Sequence, residues 1–451
     1  MTRLWLWLWL VPALCAADFQ AGLARVRITP EGPIWLSGYA SRRHPSTGVV
    51  QDLWAKALAL EDAKGNRAVI VTTDLIGLPR VVCDEVAARL QKEYELERAE
   101  LLLNASHTHT GPVVWPNLAT MYDLPPGQLR LLRAYSRRLV DAMVTVASAA
   151  LGKLSPARLH FGQGTAGFAA NRRVLTPDGA RWLKFGVNPA GPVDHAVPVL
   201  KVTDPDGTLR AALFGYACHN TTLTGQHYRI SGDYAGFAQS NFEASHPGAT
   251  ALFLQLCGGD QNPNPRGELE HARRHGQELA AAVDRALAGH LIRLHPPIRS
   301  AFRMVDLNLA FQSRETYEKE LQSPDPARVR RARAVLRALE ERRPIWRIPY
   351  PVQAIRFNRD LTLLALGGEV VVDYALRARR EFARERLVVA GYSNDVMCYI
   401  PSRRILREGG YEADQSMVYY GQPGPFTAEV EETIFNTIYQ VMRRVGVKRG
   451  K

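Results

Sequence analysis

Short apolar runs alternate along the chain with longer stretches in which apolar residues recur at helical spacing. Leu23 to Ile28, Leu53 to Leu60 and Ala68 to Thr73 read as strands, the last two joined by a Lys64-Gly65-Asn66 turn of hairpin type. Val81 to Tyr94 has the helical period, Leu101 to Ala105 is an apolar strand, and Pro125 to Leu151 is a long amphipathic helix opening on a Pro-Pro pair. Beyond Arg158 the pattern returns to strands, among them Val197 to Val202 and Leu209 to Cys218. A helix near Ala235 to Ala244, a strand at Ala251 to Leu256 and a helix at Glu268 to Leu287 come next. The strands Val352 to Phe357 and Leu361 to Leu366, a helix at Val371 to Arg384, a strand at Leu387 to Ala390 and a helix at Thr427 to Val445 complete the series. Such alternation predicts an α/β fold of mixed β-sheets flanked by helices.

Several of these strands run into polar clusters instead of ordinary turns. The run Leu101 to Ala105 opens into Ser106-His107-Thr108-His109-Thr110-Gly111-Pro112, Leu209 to Cys218 into His219-Asn220-Thr221-Thr222, and Ala251 to Leu256 into Cys257-Gly258-Gly259-Asp260-Gln261-Asn262-Pro263. Leu361 to Leu366 ends in Gly367-Gly368-Glu369. Open α/β sheets bind ligands beyond the carboxyl ends of their strands, so a site is expected there. In extended backbone, residues two apart point the same way, and His107 and His109 can share one cavity. That spacing fits a metal site, an acid/base pair, or one core and one surface histidine. Taken together, His107, His109, His219, Asp260, Asn262 and Glu369 supply the two or three histidines and the carboxylate that a catalytic zinc needs. Zinc lowers the pKa of bound water toward ~7. Asn171, Arg172 and Asn262 are candidates to hold a developing oxyanion, where one donor is worth roughly 3 kcal/mol.

The ordered segments His107-Thr108-His109-Thr110-Gly111-Pro112, Asn171-Arg172, Ala217-Cys218-His219, Ile230-Ser231-Gly232-Asp233, Gly259-Asp260-Gln261-Asn262-Pro263-Asn264, Gly368-Glu369, and Tyr399 with Tyr411 resemble the motifs of the neutral ceramidases. The resemblance runs over about 19–445. It implies a Zn2+-dependent amidase that cleaves the N-acyl bond of ceramide, a lipid amide. By that resemblance the zinc ligands are His107, His219, Glu369 and Tyr399. His109 and Arg172 face the scissile amide, Tyr411 assists at the carbonyl oxygen, and Asn171, Asp233 and Asp260 support the loops. A tyrosine ligand requires the phenolate, which a bound dication favours. The sequence departs from the family at Asn262, where those enzymes carry a serine; an amide donates hydrogen bonds but is neither nucleophile nor proton shuttle. That departure keeps open another amide or ester, such as an acylated amino sugar or a peptide-like substrate, and a non-catalytic binding protein on the same scaffold. The expectation is one catalytic domain over 18–451 with a charged helical insertion at about 313–343; length is a second departure, since family members often carry a further C-terminal β-sandwich domain that is not expected here.

Other features adjust this picture at the edges. Met1 to Ala17 carries Arg3, an apolar core from Leu4 to Leu14 and the small-residue end Cys15-Ala16-Ala17, so it reads as a secretory signal peptide and the mature chain as exported, periplasmic or secreted. Leu14 argues against lipid anchoring through Cys15. The net charge of +13 favours anionic surfaces, including peripheral contact with a membrane, while the absence of a binding motif argues against nucleic acid. Arg328, Arg330, Arg331, Arg333, Arg337, Arg342 and Arg343 surround a helical stretch and read as the solvated face of an inserted hairpin more than as a membrane-facing helix. Cys83, Cys218, Cys257 and Cys398 are expected to be free and buried in preference to disulfide-bonded. His271 and His275, four apart, are expected on a surface helix, and His195 as a structural or ligand-orienting residue.

Overall fold

A computed structural model describes residues 18–449; the expected signal peptide, 1–17, lies outside the described residues. The larger of two sheets runs from Thr250–Gln255 through Leu209–Tyr216, Ala196–Thr203, Ser155–Thr165, Phe19–Arg27, Trp54–Asp62 and Arg67–Thr73 to Leu101–Ala105. The short Ile292–Arg293 strand pairs with 155–165. The smaller sheet is Ile298–Asn308, Arg347–Phe357, Leu361–Leu366 and Leu387–Ala390. Helices α1 (Arg80–Tyr94) and α2 (Pro126–Leu151) cover one half of the large sheet's outer face, and α3 (Asp233–Ser245) and α4 (Leu269–Ala288) the other half. Helices α5 (Arg314–Glu320) and α6 (Pro326–Glu340) form a separate hairpin. Of the last three, α7 (Val372–Glu381), α8 (Arg403–Glu408) and α9 (Val430–Arg444), α7 and α9 cover the small sheet.

The two sheets face each other, which gives a helix, sheet, sheet, helix order of layers. Alternate residues of each inner strand go to different cores: Val69, Val71, Leu101 and Leu103 pack under α1 and α2, whereas Ile70 and Leu102 meet Ile355, Leu363 and Val388 between the sheets. Burial on both faces is why these strands are apolar throughout instead of alternating. Each fully buried Leu, Ile or Val contributes roughly 1.5–3 kcal/mol, so the register is strongly specified.

Most neighbouring strands in the two large sheets are antiparallel, with three exceptions. The strand 67–73 runs parallel to 101–105, 209–216 to 250–255, and 361–366 to 387–390. Each pair is linked through a helix, α1, α3 and α7 respectively, and so forms a βαβ unit. The carboxyl ends of all three pairs meet. Asn104 clips them together: its Nδ2 donates to Gly391 O at 2.9 Å and Ser393 Oγ at 3.1 Å, and its Oδ1 accepts from Gln255 N at 2.9 Å.

Four differences from the sequence reading have physical causes. The strand Ile298–Asn308 was not expected, because its mixed exposed and half-buried residues read as irregular. Its partner extends back to Arg347 through Pro349 and Pro351, residues that discourage a strand assignment. The helical stretch 313–343 is broken at Pro324-Asp325-Pro326, where Asp325 caps α6 by accepting from Ala327 N at 2.9 Å. His275 is buried, not on the surface: it stacks on Phe168 with ring centroids 4.4 Å apart and bonds Pro265 O at 2.7 Å. The four cysteines are free and buried, as expected. Among the described residues no helix is long and apolar enough to cross a membrane.

Candidate metal centre

The strand Leu101–Ala105 delivers His107 in a left-handed conformation, φ 65°, held by His107 N donating to Leu75 O at 2.8 Å. Asp233, Tyr392 and Asn394 also have positive φ on the exit loops, backbone strain that persists only where surroundings over-determine it. His107 Nδ1 lies 2.6 Å from Ile76 O and His219 Nδ1 2.8 Å from Gly258 O. Only an N–H can satisfy a carbonyl, so both Nδ1 atoms carry a proton and the two Nε2 atoms are the nitrogens turned toward the carboxylate. Those two atoms each stand 3.0 Å from Glu369 Oε2, and His219 Nε2 is also 3.0 Å from the Tyr399 hydroxyl. Glu369 and Tyr399 are brought opposite each other by a short parallel bridge, 369–370 against 399–400. The loop 258–259 passes so close that a Cβ at Gly259 would sit 2.7 Å from Glu369 O, which only glycine avoids.

This is a buried cluster of lone pairs with too few protons between them. His107 and His219 have no exposed surface, and Glu369 is 3% exposed. Burial alone would raise the Glu369 carboxyl, but the histidines His107 and His219 outweigh it and hold it well below the usual range. Burial, with Arg172 and His107 nearby, lowers His219 to about 3. Burial, with His107 and His219 nearby, lowers His109 well below the ordinary value, so its imidazole is neutral. Imidazole nitrogens converging on a carboxylate fit a divalent cation. The ring nitrogens of His107, His109 and His219 are themselves close enough together to hold one.

His109 stands at the edge of the cluster, Nε2 3.0 Å from His107 Nε2, and lines a cavity of about 270 Å³ with Arg172, Asn262, Tyr399 and Tyr411. Gly38, at φ 87°, packs against its ring, where a Cβ would fall 2.2 Å from Nδ1. Arg172 donates to Tyr399 OH at 3.0 Å, Asn262 Oδ1 at 3.2 Å and Glu412 Oε1 at 2.8 Å. Asn262 Oδ1 also accepts from Thr221. Its acceptor is therefore engaged, and its amide N–H groups are the donors that remain. Tyr411 packs edge-on against Tyr399, ring centroids 5.4 Å apart.

The three supporting residues sit behind this wall. Asn171 does not face the cavity, which corrects the expectation that it holds an oxyanion. Its Nδ2 donates to Pro192 O and Asp260 Oδ2, and its Oδ1 accepts from Arg173 N. Asp260 accepts from Val372 N at 2.8 Å and so ties its loop to the start of α7; burial raises its carboxyl to about 7. Asp233 accepts from Leu223 N and Tyr234 N and does not touch His219. His195 bonds Ala169 O, a structural contact.

Sequence reasoning missed three residues. The Tyr420 hydroxyl donates to Glu369 Oε1, which leaves Oε2 as the oxygen facing the histidines. Glu412 holds Arg172 and, through its other oxygen, Arg173, which is also bound to Glu408. Tyr39 lies beside His109, ring centroids 5.0 Å apart. None ends an apolar strand, so the pattern that revealed the histidines offered no signal for them.

A family model described as neutral/alkaline non-lysosomal ceramidase, N-terminal, matches residues 19–282. The neutral ceramidase of Pseudomonas aeruginosa is 30% identical over 258 residues, 54% of this chain and 37% of that protein. Neutral ceramidase A of Dictyostelium discoideum is 28% identical over 265 residues, 56% of this chain and 37% of that protein. The matches thus span just over a third of the length of these relatives. The crystal structure of the Pseudomonas aeruginosa neutral ceramidase superposes with a TM-score of 0.73 at 21% identity, covering 95% of this chain and 75% of that one. A solved ceramidase complexed with C2 matches with the same score at 20% identity, covering 96% and 76%.

Proposed function

Because this chain belongs to the neutral/alkaline non-lysosomal ceramidase family, we propose that it is a zinc-dependent amidase hydrolysing the N-acyl bond of a ceramide-like lipid. The observation that carries this reading is the pair of Nε2 atoms, His107 and His219, each 3.0 Å from Glu369 Oε2 and in contact with His109 and Tyr399 of the cavity wall. His107, His219 and Glu369 would hold the ion, with the Tyr399 hydroxyl as the fourth donor. A zinc ion bound there would polarise the acyl carbonyl and make water acidic enough to react near neutral pH. His109, neutral and on the cavity wall, is placed to move a proton between water and the leaving amine. Arg172, kept rigid by Glu412, and Tyr411 are placed to donate to the oxyanion. Burial of Arg172 excludes competing water and strengthens its bonds.

Asn262 supports a second reading, in which the same chemistry acts on a different amide or an ester. Its engaged Oδ1 and free N–H groups make it a substrate-orienting donor and not a nucleophile. Contact with an anionic lipid surface has a better candidate than the arginine-rich hairpin. Leu183 and Phe185 on the short strand Trp182–Phe185 and Val187 just beyond it are 53%, 45% and 51% exposed beside Arg181 and Lys184, with Phe185 also lining the cavity. Leu183→Ser with Val187→Ser should weaken binding to anionic vesicles; unchanged binding would remove this surface from the account.

The deciding experiment is metal analysis joined to a hydrolysis screen of short-chain ceramide beside other amides and esters. The wild type should carry stoichiometric zinc and cleave an N-acyl amide, and His219→Ala should lose both. A purified wild type that takes up no divalent metal would end the proposal.

A further inference from the structure

The cavity wall carries two guanidinium groups, Arg172 and Arg266, and no carboxylate among its described lining residues. The two arginines are treated differently by the fold. Arg172 is neutralised by Glu412, and its neighbour Arg173 by Glu408 and Glu412. Arg266 makes one side-chain bond, to the Tyr39 hydroxyl at 3.1 Å, and its Nε is buried without a partner. Among the described residues no carboxylate pairs with it.

Arg266 is half-buried, with its Nε shielded from water and unpaired and no ion-pair partner among the described residues, and it is not a loose surface side chain. The backbone around it is tied on both sides. Asn264 N donates to Phe168 O at 2.8 Å, Gly267 N to Thr222 O at 2.8 Å, and the buried His275 bonds Pro265 O at 2.7 Å. Tyr39, which receives the Arg266 bond, stacks beside His109, so the free donors lie one side chain away from the place where the amide is expected to react. Arg42, on the other side of Tyr39, donates through its terminal nitrogens to the carbonyls of Ser37, His109 and His227, leaves its Nε unpaired, and brings a further positive charge without a carboxylate. A neutral amide does not need this much positive charge beside it.

We propose that the substrate carries an anionic oxygen group, a carboxylate or a phosphate ester, close to its N-acyl bond, and that Arg266 is the specificity-determining residue that receives it. The guanidinium fork suits two oxygens of one such group at once, which a point charge does not. The inference rests on the amidase reading for the reaction but not for the binding.

Three probes of equal acyl length separate the cases: N-lauroylethanolamine, which is neutral, N-lauroylglycine, which bears a carboxylate, and N-lauroylphosphoethanolamine. Wild-type kcat/KM should favour at least one anionic probe over the neutral one by about tenfold or more, and which of the two is preferred identifies the group. Arg266→Met should collapse that ratio toward unity, and Arg266→Lys should restore part of it. A wild type that prefers the neutral probe, or a ratio unchanged in Arg266→Met, overturns the proposal. If no probe is hydrolysed, equilibrium binding decides. Selective loss of anionic-probe affinity in Arg266→Met upholds the assignment while removing the amidase reading, and equal loss for all probes, or none, overturns it.

Discussion

Ionisable side chains crowd two regions of this molecule, and the two behave in opposite ways. In the α5–α6 hairpin, Arg328 and Arg331 meet Glu320, and Arg314 meets Glu318 and Glu340, with most of these groups reaching solvent. Charges there either pair or reach solvent, around a small core of Tyr317, Ala332, Val335 and Leu336. At the meeting point of the three parallel strand pairs, His107, His219 and Glu369 turn a nitrogen each and a carboxylate oxygen toward one another, with the Tyr399 hydroxyl beside them and little contact with water. The hairpin leaves its charges paired or hydrated, whereas the strand ends leave a deficit that a cation would fill. The density of charge along a sequence therefore says little about function. What matters is whether the fold leaves the charges complete.

The strongest way to break this contrast is to remove the carboxylate. Glu369→Gln should abolish stoichiometric metal binding and lower amide hydrolysis by about three orders of magnitude or more, the scale of losing an activated nucleophile. Full metal occupancy in that variant would mean that the cluster is complete without its anion. Next in size is Tyr420→Phe, which deletes only the hydroxyl that orients Glu369. Zinc affinity, measured by competition with a chelator, should fall about 10–100-fold while the metal-free protein melts as the wild type does. An unaltered affinity would assign Tyr420 to packing alone.

A smaller effect is expected from a buried carboxylate that lacks a full counter-charge. Burial raises Asp395 to about 7, against a partial opposing effect of Arg80. The folded chain then holds a proton that the unfolded chain releases near pH 4, so stability should decline as pH rises from about 4 to 7. Asp395→Asn should flatten that slope, as followed by denaturant unfolding across the range. The smallest change belongs to the hairpin: Arg328→Ala, at a side chain 41% exposed, should cost about 0–1 kcal/mol and leave hydrolysis unaltered. A large loss of activity there would show that the hairpin shares in the site.

Much of this arrangement was legible before any coordinates. The apolar runs found the inner strands because burial on two faces leaves no room for polar residues, and the polar ends of those runs led to His107, His219 and Glu369. Edge elements escaped. The strand Ile298–Asn308 mixes exposed and buried residues, and its partner contains Pro349 and Pro351, so neither shows the inner-strand pattern. Asn171 was misjudged because a side chain in a polar stretch can turn to either side of the backbone, and here it turns inward to Asp260.

By itself, the amino-acid order determined the alternation of strands and helices, the polar loops that interrupt it and the residue types able to bind a metal, because local periodicity and side-chain chemistry act over a few residues. Only the tertiary structure decided that three parallel pairs end at one point, that Tyr420 and Glu412 reach in from a distant segment to hold Glu369 and Arg172, and that Arg266 is left without a counter-charge. Those outcomes depend on distances between residues far apart in the chain, which are set by how layers pack and not by any neighbouring sequence.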